Sequence, residues 1–469
     1  MRNFIQRPKR KISETTGHCF AQNKLRIKIF RMNLYSIATR IFQSALDEVS
    51  AEKLIEKSVY LRENNLFIKD QQFDLSWFKN IYIIGIGKVS SYMAKALSEI
   101  LKNKITYGIV VSLPEHEVKL ENITFLPGSH PVPDEKSSKA GEEVLKLARR
   151  LGRKDLAIIL ISGGGSALMV KPLGGISLED KKKITKLLLA SGANISEINT
   201  VRKHLSKIKG GNLARAIFPG SIVNLAISDV IGNSLEDIIS GPTYWDSTTF
   251  YDAYSVLKKY KIWDKAPLSV QKAILRGIKG EIPETPKKNF KIFEKVSNFI
   301  IGNNRIALES AMKKAEELGF DTEILTDSDS GEARERAIYY TLIFKKLIKS
   351  EKPKCLLSGG ELTVTVKGKG KGGRNQEFVL ACLVEMDKIQ TDKNWLIASI
   401  GTDGTDGPTD AAGAWVTPEI LEKAKKLNLN PVEYLNNNDS YNFFSQVGGL
   451  IKTGPTKTNI MDIRIFLVQ

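Results

Sequence analysis

Cysteine is scarce. The 469 residues hold three, Cys19, Cys355 and Cys382, odd in number and far apart, which excludes a disulfide framework and a Cys-x-x-Cys metal knuckle and points to a reducing, cytoplasmic setting. Four histidines are too few and too scattered to suggest a zinc site. No apolar run approaches the roughly 18 residues that span a bilayer; the longest, such as 156–161, are strand-sized. Acidic residues are nearly missing from the first 31 positions, where nine Lys or Arg stand against Glu14 alone, so eight of the net +18 charges lie there. Over the rest of the chain the surplus is spread through Lys/Glu-rich helices that read as solvated faces rather than a nucleic-acid groove. The tail lacks the apolar stretch of a secretory signal; Met32 is a candidate start, and a mitochondrial transit peptide is the competing reading.

What is present is an ordinary globular composition, 42% hydrophobic and 26% charged, in a chain long enough for two or three domains. Apolar residues recur at helical spacing from Ile37 through Ile41, Ala45, Val49 and Leu54, and the run 81–84 then reads as a buried strand. The order of strand, glycine turn and helix returns at 108–112, at 156–161 before Gly163-Gly164-Gly165, and at 222–227 before Ser228-Asp229. Such alternation predicts βαβ units, hence an α/β fold with a mainly parallel sheet. Pro283, Pro286 and clustered lysines mark a linker. Beyond it, strands at 299–302, 322–326, 355–360, 362–366 and 395–401 surround helices at 305–318 and 332–349. The expected organisation is a basic tail (1–31), a Rossmann-like α/β domain (32–280), a linker (281–296) and a second, mainly parallel α/β domain (297–469).

Glycines at the carboxyl ends of strands mark where backbone must approach a ligand closely. Gly85-Ile86-Gly87-Lys88-Val89-Ser90 resembles a dinucleotide fingerprint, but Ser90 replaces its third glycine and no carboxylate ends a strand at the required distance. Lys88 instead puts a point charge beside free helix N–H groups, which suits phosphate or carboxylate; a solvated lysine on a structural turn is the plain alternative. Ser162-Gly163-Gly164-Gly165-Ser166 is not a Walker A loop and lacks the frame of a serine hydrolase; a backbone nest for phosphate accounts for its glycines. The basic loop 368–377 ends in Gly373-Arg374-Asn375-Gln376-Glu377, where Arg374 at a helix start can grip a carboxylate or phosphoryl group, unless the loop is a mere mobile hairpin. The stretch 401–410 carries Asp403, Asp406 and Asp410 among glycines and threonines, hard oxygen ligands for Mg²⁺ or simply a solvated turn; Asp229 adds a carboxylate at another strand end. His130, in a proline turn, reads as a loop-ordering residue.

Together five blocks resemble the glycerate 2-kinases, the family whose carboxyl-terminal half is the MOFRL domain: Gly85–Lys88, Pro127–Ser137, Leu160–Ala214, Gly359–Glu377 and Gly401–Ala414, with 453–459 at the end. The resemblance covers about residues 33–469. It implies two α/β domains with the active site in the cleft between them, and ATP-dependent phosphorylation of the 2-hydroxyl of D-glycerate with Mg²⁺ or another divalent cation, in glycerate catabolism feeding glycolysis. The site it implies has Lys88, Arg374 and Asp229 as catalytic residues; Ser162, Gly163, Gly164, Gly165, Ser166 and Lys209 on the nucleotide phosphates; Lys88, Arg374, Asn375 and Glu377 on the substrate; and Asp229, Asp403 and Asp406 at the metal. Asn233 stands where the family usually has Asp. Some members carry the label hydroxypyruvate reductase, the alternative activity, which would need NAD(P)H. Expected partners are D-glycerate and ATP, with neither nucleic acid nor membrane; monomer and homodimer both stay open.

Overall fold

The structure, a computed structural model, describes residues 33–469, so the basic tail and the candidate start at Met32 lie outside the described residues. The fold opens on Asn33, whose Oδ1 accepts the Ser36 N–H at 2.8 Å and caps the helix Leu34–Glu48. A second helix, Ala51–Ser58, leads into an antiparallel three-stranded sheet, β1 (Val59–Arg62), β2 (Asn65–Ile68) and β3 (Gln71–Asp74), whose four-residue strands are too short to show a period in the sequence.

The first large sheet contains β4 (Asn80–Ile86), β5 (Tyr107–Ser112), β6 (Ile123–Pro127), β7 (Asp155–Ile161), β8 (Ser221–Ile227) and β9 (Val296–Gly302) in the order β6-β5-β4-β7-β8-β9. Every pairing is parallel, and β7 is buried along its whole length, as a strand with helices on both faces must be. The strand order reverses between β4 and β7, which opens a crevice at their carboxyl ends. β9 corrects the expected domain boundary: the strand assigned to the second domain pairs with β8 and completes the first sheet. Four helices, Leu178–Leu189, Ile195–His204, Phe250–Lys259 and Leu268–Ile278, pack around Ile184, Val201, Leu257 and Ile274 as a helical lobe with its own apolar cluster.

The second sheet contains β10 (Asp321–Asp329), β11 (Lys354–Gly360), β12 (Trp395–Gly401), β13 (Gly413–Val416), β14 (Leu450–Ile451) and β15 (Asp462–Val468), in the order β10-β11-β15-β12-β13-β14. The α/β class holds, but this sheet is mixed rather than mainly parallel, since only β10 and β11 pair parallel. The cause is β15, which enters between β11 and β12 running against both. The segment expected as a strand at 362–366 contributes one bridge, Thr363 to Glu332. Helix Leu34–Glu48, expected in the first domain, lies instead on helix Asn304–Glu317, β12 and β15, with Ser44 Oγ 3.0 Å from Ser310 Oγ. One continuous apolar core runs from Ile37 and Ile41 through Phe299 to Leu396 and Ile465, joining the two sheets. Among the described residues no helix is long and apolar enough to cross a membrane.

Candidate functional site

The crevice between β4 and β7 positions Lys88. Its backbone is fixed on both sides: its N–H donates to Gly163 O at 2.9 Å, and its carbonyl accepts from Ser112 Oγ at 2.9 Å, with His116 Nδ1 2.6 Å from the same oxygen. The side chain is thereby aimed by main-chain bonds, and its Nζ lies 3.7 Å from Asp403 Oδ2, just past the end of β12. Asp229, just past the end of β8, lies across the backbone of Gly163: a Cβ there would fall 2.2 Å from Asp229 Oδ2 and 3.2 Å from Asn459 Nδ2. Glycine is required by this close approach, not by flexibility. Asn459 Nδ2 donates to Asp229 Oδ2 at 3.4 Å. Burial pushes the Asp229 carboxyl up to about 6, against the pull of a backbone hydrogen bond and of Lys88, while the Asp403 charge adds to the rise. Next to Lys88, burial and then the lysine's charge hold His130 down at about 4, so its imidazole is neutral at neutral pH.

On the side of the second sheet, Arg374 stands at the start of helix Arg374–Met386. Its Nε and Nη2 donate to Asp462 at 2.7 and 2.9 Å, and Nη1 lies 2.7 Å from Glu361 Oε1. The antiparallel direction of β15 explains the pairing, because it puts Asp462, the first residue of that strand, level with Gly360 and Gly401 at the ends of β11 and β12. These contacts occupy three of the five N–H groups of the guanidinium and leave two for a ligand. Burial raises the Glu361 carboxyl, with Arg374 opposing and the carboxylates of Asp462, Asp229 and Asp403 adding.

Several residues expected in the site are taken up by the fold itself. Asp406, expected at the metal, is 2% exposed and caps the helix Arg374–Met386, accepting the N–H groups of Asn375 at 3.0 Å and Gln376 at 2.9 Å together with both side-chain amides. Asn375 and Glu377, expected on the substrate, are buried: Asn375 accepts from Ser399 Oγ, and Glu377 receives Arg334 Nε at 2.6 Å and Asn438 Nδ2 at 3.0 Å. Ser162, expected on phosphate, is also buried and accepts the Val89 N–H at 3.1 Å. A helix start inside a protein must satisfy its own N–H groups first. Asn233 has a φ of 56°, a left-handed conformation that Asn and Asp tolerate alike.

Gly164 and Ser166 do line ligand space, whereas Gly163 is buried beneath Asp229 and Gly165, also expected on phosphate, is packed against Ile239 and Ile86. Gly164 separates Lys88 from a cavity of about 1060 Å³ between the carboxyl edge of the first sheet and the helical lobe. Lys209, whose Nζ donates to Ser166 Oγ at 3.1 Å, lines it, and so do Lys181 and Arg202. The last two are what sequence reasoning missed; Asn459 and Glu361 fell within its motifs but were given no role. Lys181 sits in Asp180-Lys181-Lys182-Lys183, where three consecutive lysines look solvated, although only Lys181 matches the apolar face of its helix.

Asp229 and Asp403 flank Lys88, and this donor set fits a divalent cation whose other ligands are phosphate oxygens and water, the usual arrangement for Mg²⁺ in phosphoryl transfer. Among the described residues no group of three or more His, Cys, Asp or Glu could hold a metal.

Two family models match the chain: a domain of unknown function (DUF4147) over residues 37–275 and the MOFRL family over residues 354–462. The chain is 40% identical to the glycerate 2-kinase of Pyrococcus horikoshii over 93% of its length and 98% of the relative's. It is 42% identical, over 82% of its length and 86% of the relative's, to a protein of Agrobacterium vitis that carries a provisional hydroxypyruvate reductase name. The crystal structure of the glycerate kinase of Thermotoga maritima superposes with a TM-score of 0.80 at 39% identity, covering 93% of this chain and 99% of that one. Both halves match in order and over nearly their whole length, so the chain belongs to the glycerate 2-kinase family of MOFRL-domain proteins.

Proposed function

We propose that this protein is an ATP-dependent glycerate 2-kinase, transferring the γ-phosphoryl group of ATP to the 2-hydroxyl of D-glycerate. The observation that carries the reading is the convergence of Lys88, Asp229 and Asp403 where the strand order of the first sheet reverses, beside the glycine nest at 163–164. Phosphoryl transfer asks the protein mainly for positioning and for charge around three phosphoryl oxygens. Lys88, with its backbone fixed, supplies a positive charge that needs no rearrangement when the transferring group becomes more negative. Asp229 lies within the same cluster and accepts the proton of the attacking hydroxyl; its position over Gly163 puts it next to the backbone that cradles phosphate. Asp403 would hold the divalent cation together with phosphate oxygens, and the cation supplies charge neutralisation between them. The two remaining N–H groups of Arg374 suit the glycerate carboxylate, with Asp462 and Glu361 fixing the plane of the guanidinium.

No observation favours hydride transfer, and the turn at Gly85–Ser90 lacks the third glycine of a dinucleotide site. The deciding experiment incubates purified protein with ATP, Mg²⁺ and D-glycerate, follows ADP release by a coupled assay and locates the new phosphate by NMR. ADP and 2-phosphoglycerate are expected only with all three present. Oxidation of NAD(P)H by hydroxypyruvate in the absence of ATP turnover would reject the kinase.

A further inference from the structure

Elsewhere among the described residues, buried cations lie within ion-pair distance of a carboxylate. Lys203, 2% exposed, meets Glu236 at 2.7 Å and Asp246 at 3.3 Å, and Arg464, 0% exposed, lies 3.7 Å from Asp329. The cavity beside Gly164 is different. Lys181 is 5% exposed and its Nζ has no hydrogen-bond partner among the described residues. Lys209, 2% exposed, reaches only Ser166 Oγ and, at 3.4 Å, Ile239 O. Arg202, half-buried in the last turn of its helix, has no carboxylate within ion-pair distance among the described residues. Three like charges around one space, none of them with a carboxylate within ion-pair distance among the described residues, oppose folding unless something else neutralises them. The lining includes exposed apolar side chains, Val132 from the proline turn and Leu189 from the lobe, together with His130, and Lys88 lies across Gly164 from it. The volume is far larger than a three-carbon acid needs and suits a nucleotide.

Resting on the kinase reading, we propose that this cavity seats the nucleoside triphosphate, with Lys181, Arg202 and Lys209 around its phosphate chain, the base against Val132 and Leu189, and the terminal phosphoryl group delivered past Gly164 to Lys88. Lys181 is a binding residue of the triphosphate, and its charge state changes with occupancy. Burial, with Arg202 adding, holds its ammonium down at about 7, and burial with the charges of Lys181 and Arg202 holds Lys209 well below its ordinary value. The other charged groups on the lobe helix around Lys181 are Glu179, bonded to Lys182 at 2.8 Å, Asp180, which accepts from Ser269 Oγ at 2.7 Å, and Lys183 and Lys186; His130 faces the cavity from the proline turn. A polyanion favours the protonated lysine, so nucleotide binding above pH 7 takes up protons.

The test is calorimetric titration of the full chain with the non-hydrolysable analogue AMP-PNP and Mg²⁺ at pH 8, in buffers of different ionisation enthalpy, alongside the steady-state KM for ATP and for glycerate. Lys181→Met and Arg202→Met should each weaken analogue binding at least about tenfold, the loss of one charge-assisted contact, and leave the glycerate KM within twofold. Lys181→Met should also take up about one proton fewer per nucleotide bound, which a merely structural change would not produce. Lys181→Arg, which keeps the charge but cannot release a proton, should retain more affinity than Lys181→Met while losing the same uptake. Unchanged analogue affinity in both Met variants, or a raised glycerate KM with ATP unaffected, overturns the assignment while the kinase reading stands; a wild-type protein that makes no 2-phosphoglycerate and binds no analogue overturns both.

Discussion

Asp229 and Arg374 are both charged groups of the site, yet their substitution is expected to have unequal effects on stability. Among the described residues the only other side chain that hydrogen-bonds Asp229 is Asn459, at 3.4 Å, and burial raises the Asp229 carboxyl to about 6. Asp229→Asn should therefore cost the fold little, while kcat falls by about 10²–10⁴-fold, the usual loss of a general base; steady-state kinetics with a melting curve checks both. Arg374 closes a pair with Asp462, which is 0% exposed. Arg374→Ala leaves that carboxylate buried without a partner, at a cost of about 3 kcal/mol, so urea unfolding should show a clear loss beside the loss of activity. His130 links the crevice to acid sensitivity. Its imidazole resists protonation until about pH 4 in the fold, against an ordinary 6.5, so the unfolded chain takes the proton first. The histidine's contribution to stability is complete above about pH 6.5 and is lost as pH falls from there toward 4. Unfolding curves at pH 7 and 5 should lie closer together in His130→Gln than in the wild type.

Helix Arg374–Met386 shows how an element can capture residues that a motif offers to a ligand. Its N-cap position is Gly373, which has no side chain to accept the first N–H groups, and Asp406 from a distant loop does so instead. Asp406→Ala would leave two buried N–H groups and the side-chain amide of Asn375 without an acceptor, while Gln376 Nε2 keeps Thr409 Oγ1. A loss of about 2 kcal/mol or more is expected, measurable by urea unfolding, and kcat in the surviving folded fraction should stay within a few-fold of wild type. A metal role for Asp406 would instead abolish turnover at full stability.

At the scale of the whole molecule, the two sheets are not independent bodies joined by a linker. Helix Leu34–Glu48 comes from the start of the described chain and covers β12 and β15 near its end, and β9 is added to the first sheet after a long excursion. A chain beginning at Met32 keeps the Asn33 cap and should fold and turn over like the full protein. A chain beginning at Ser50 uncovers Leu396 and Ile465, and is expected to be poorly soluble and readily cleaved in limited proteolysis, even though no residue of the crevice has been removed.

The sequence by itself determined the elements whose cause is local. The apolar runs that became β4, β7, β8, β11 and β12, the glycine turns at their ends, and Lys88 within one of them were all legible, because side-chain period and backbone freedom are properties of a few consecutive residues. Asp229 and Asp403 were legible for the same reason, as carboxylates at strand ends. Only the tertiary structure decided which carboxylates stay free. Asp406 and Asp403 belong to one motif, but one meets the open start of a helix and the other meets Lys88. It also decided where β15 inserts, and with it the partner of Arg374, since an apolar run of seven residues carries no record of its neighbours. Lys181 is the clearest case: in the chain it is one lysine of three, and its buried, unpaired state arises only when the helical lobe closes against the edge of a sheet built from residues far away in sequence.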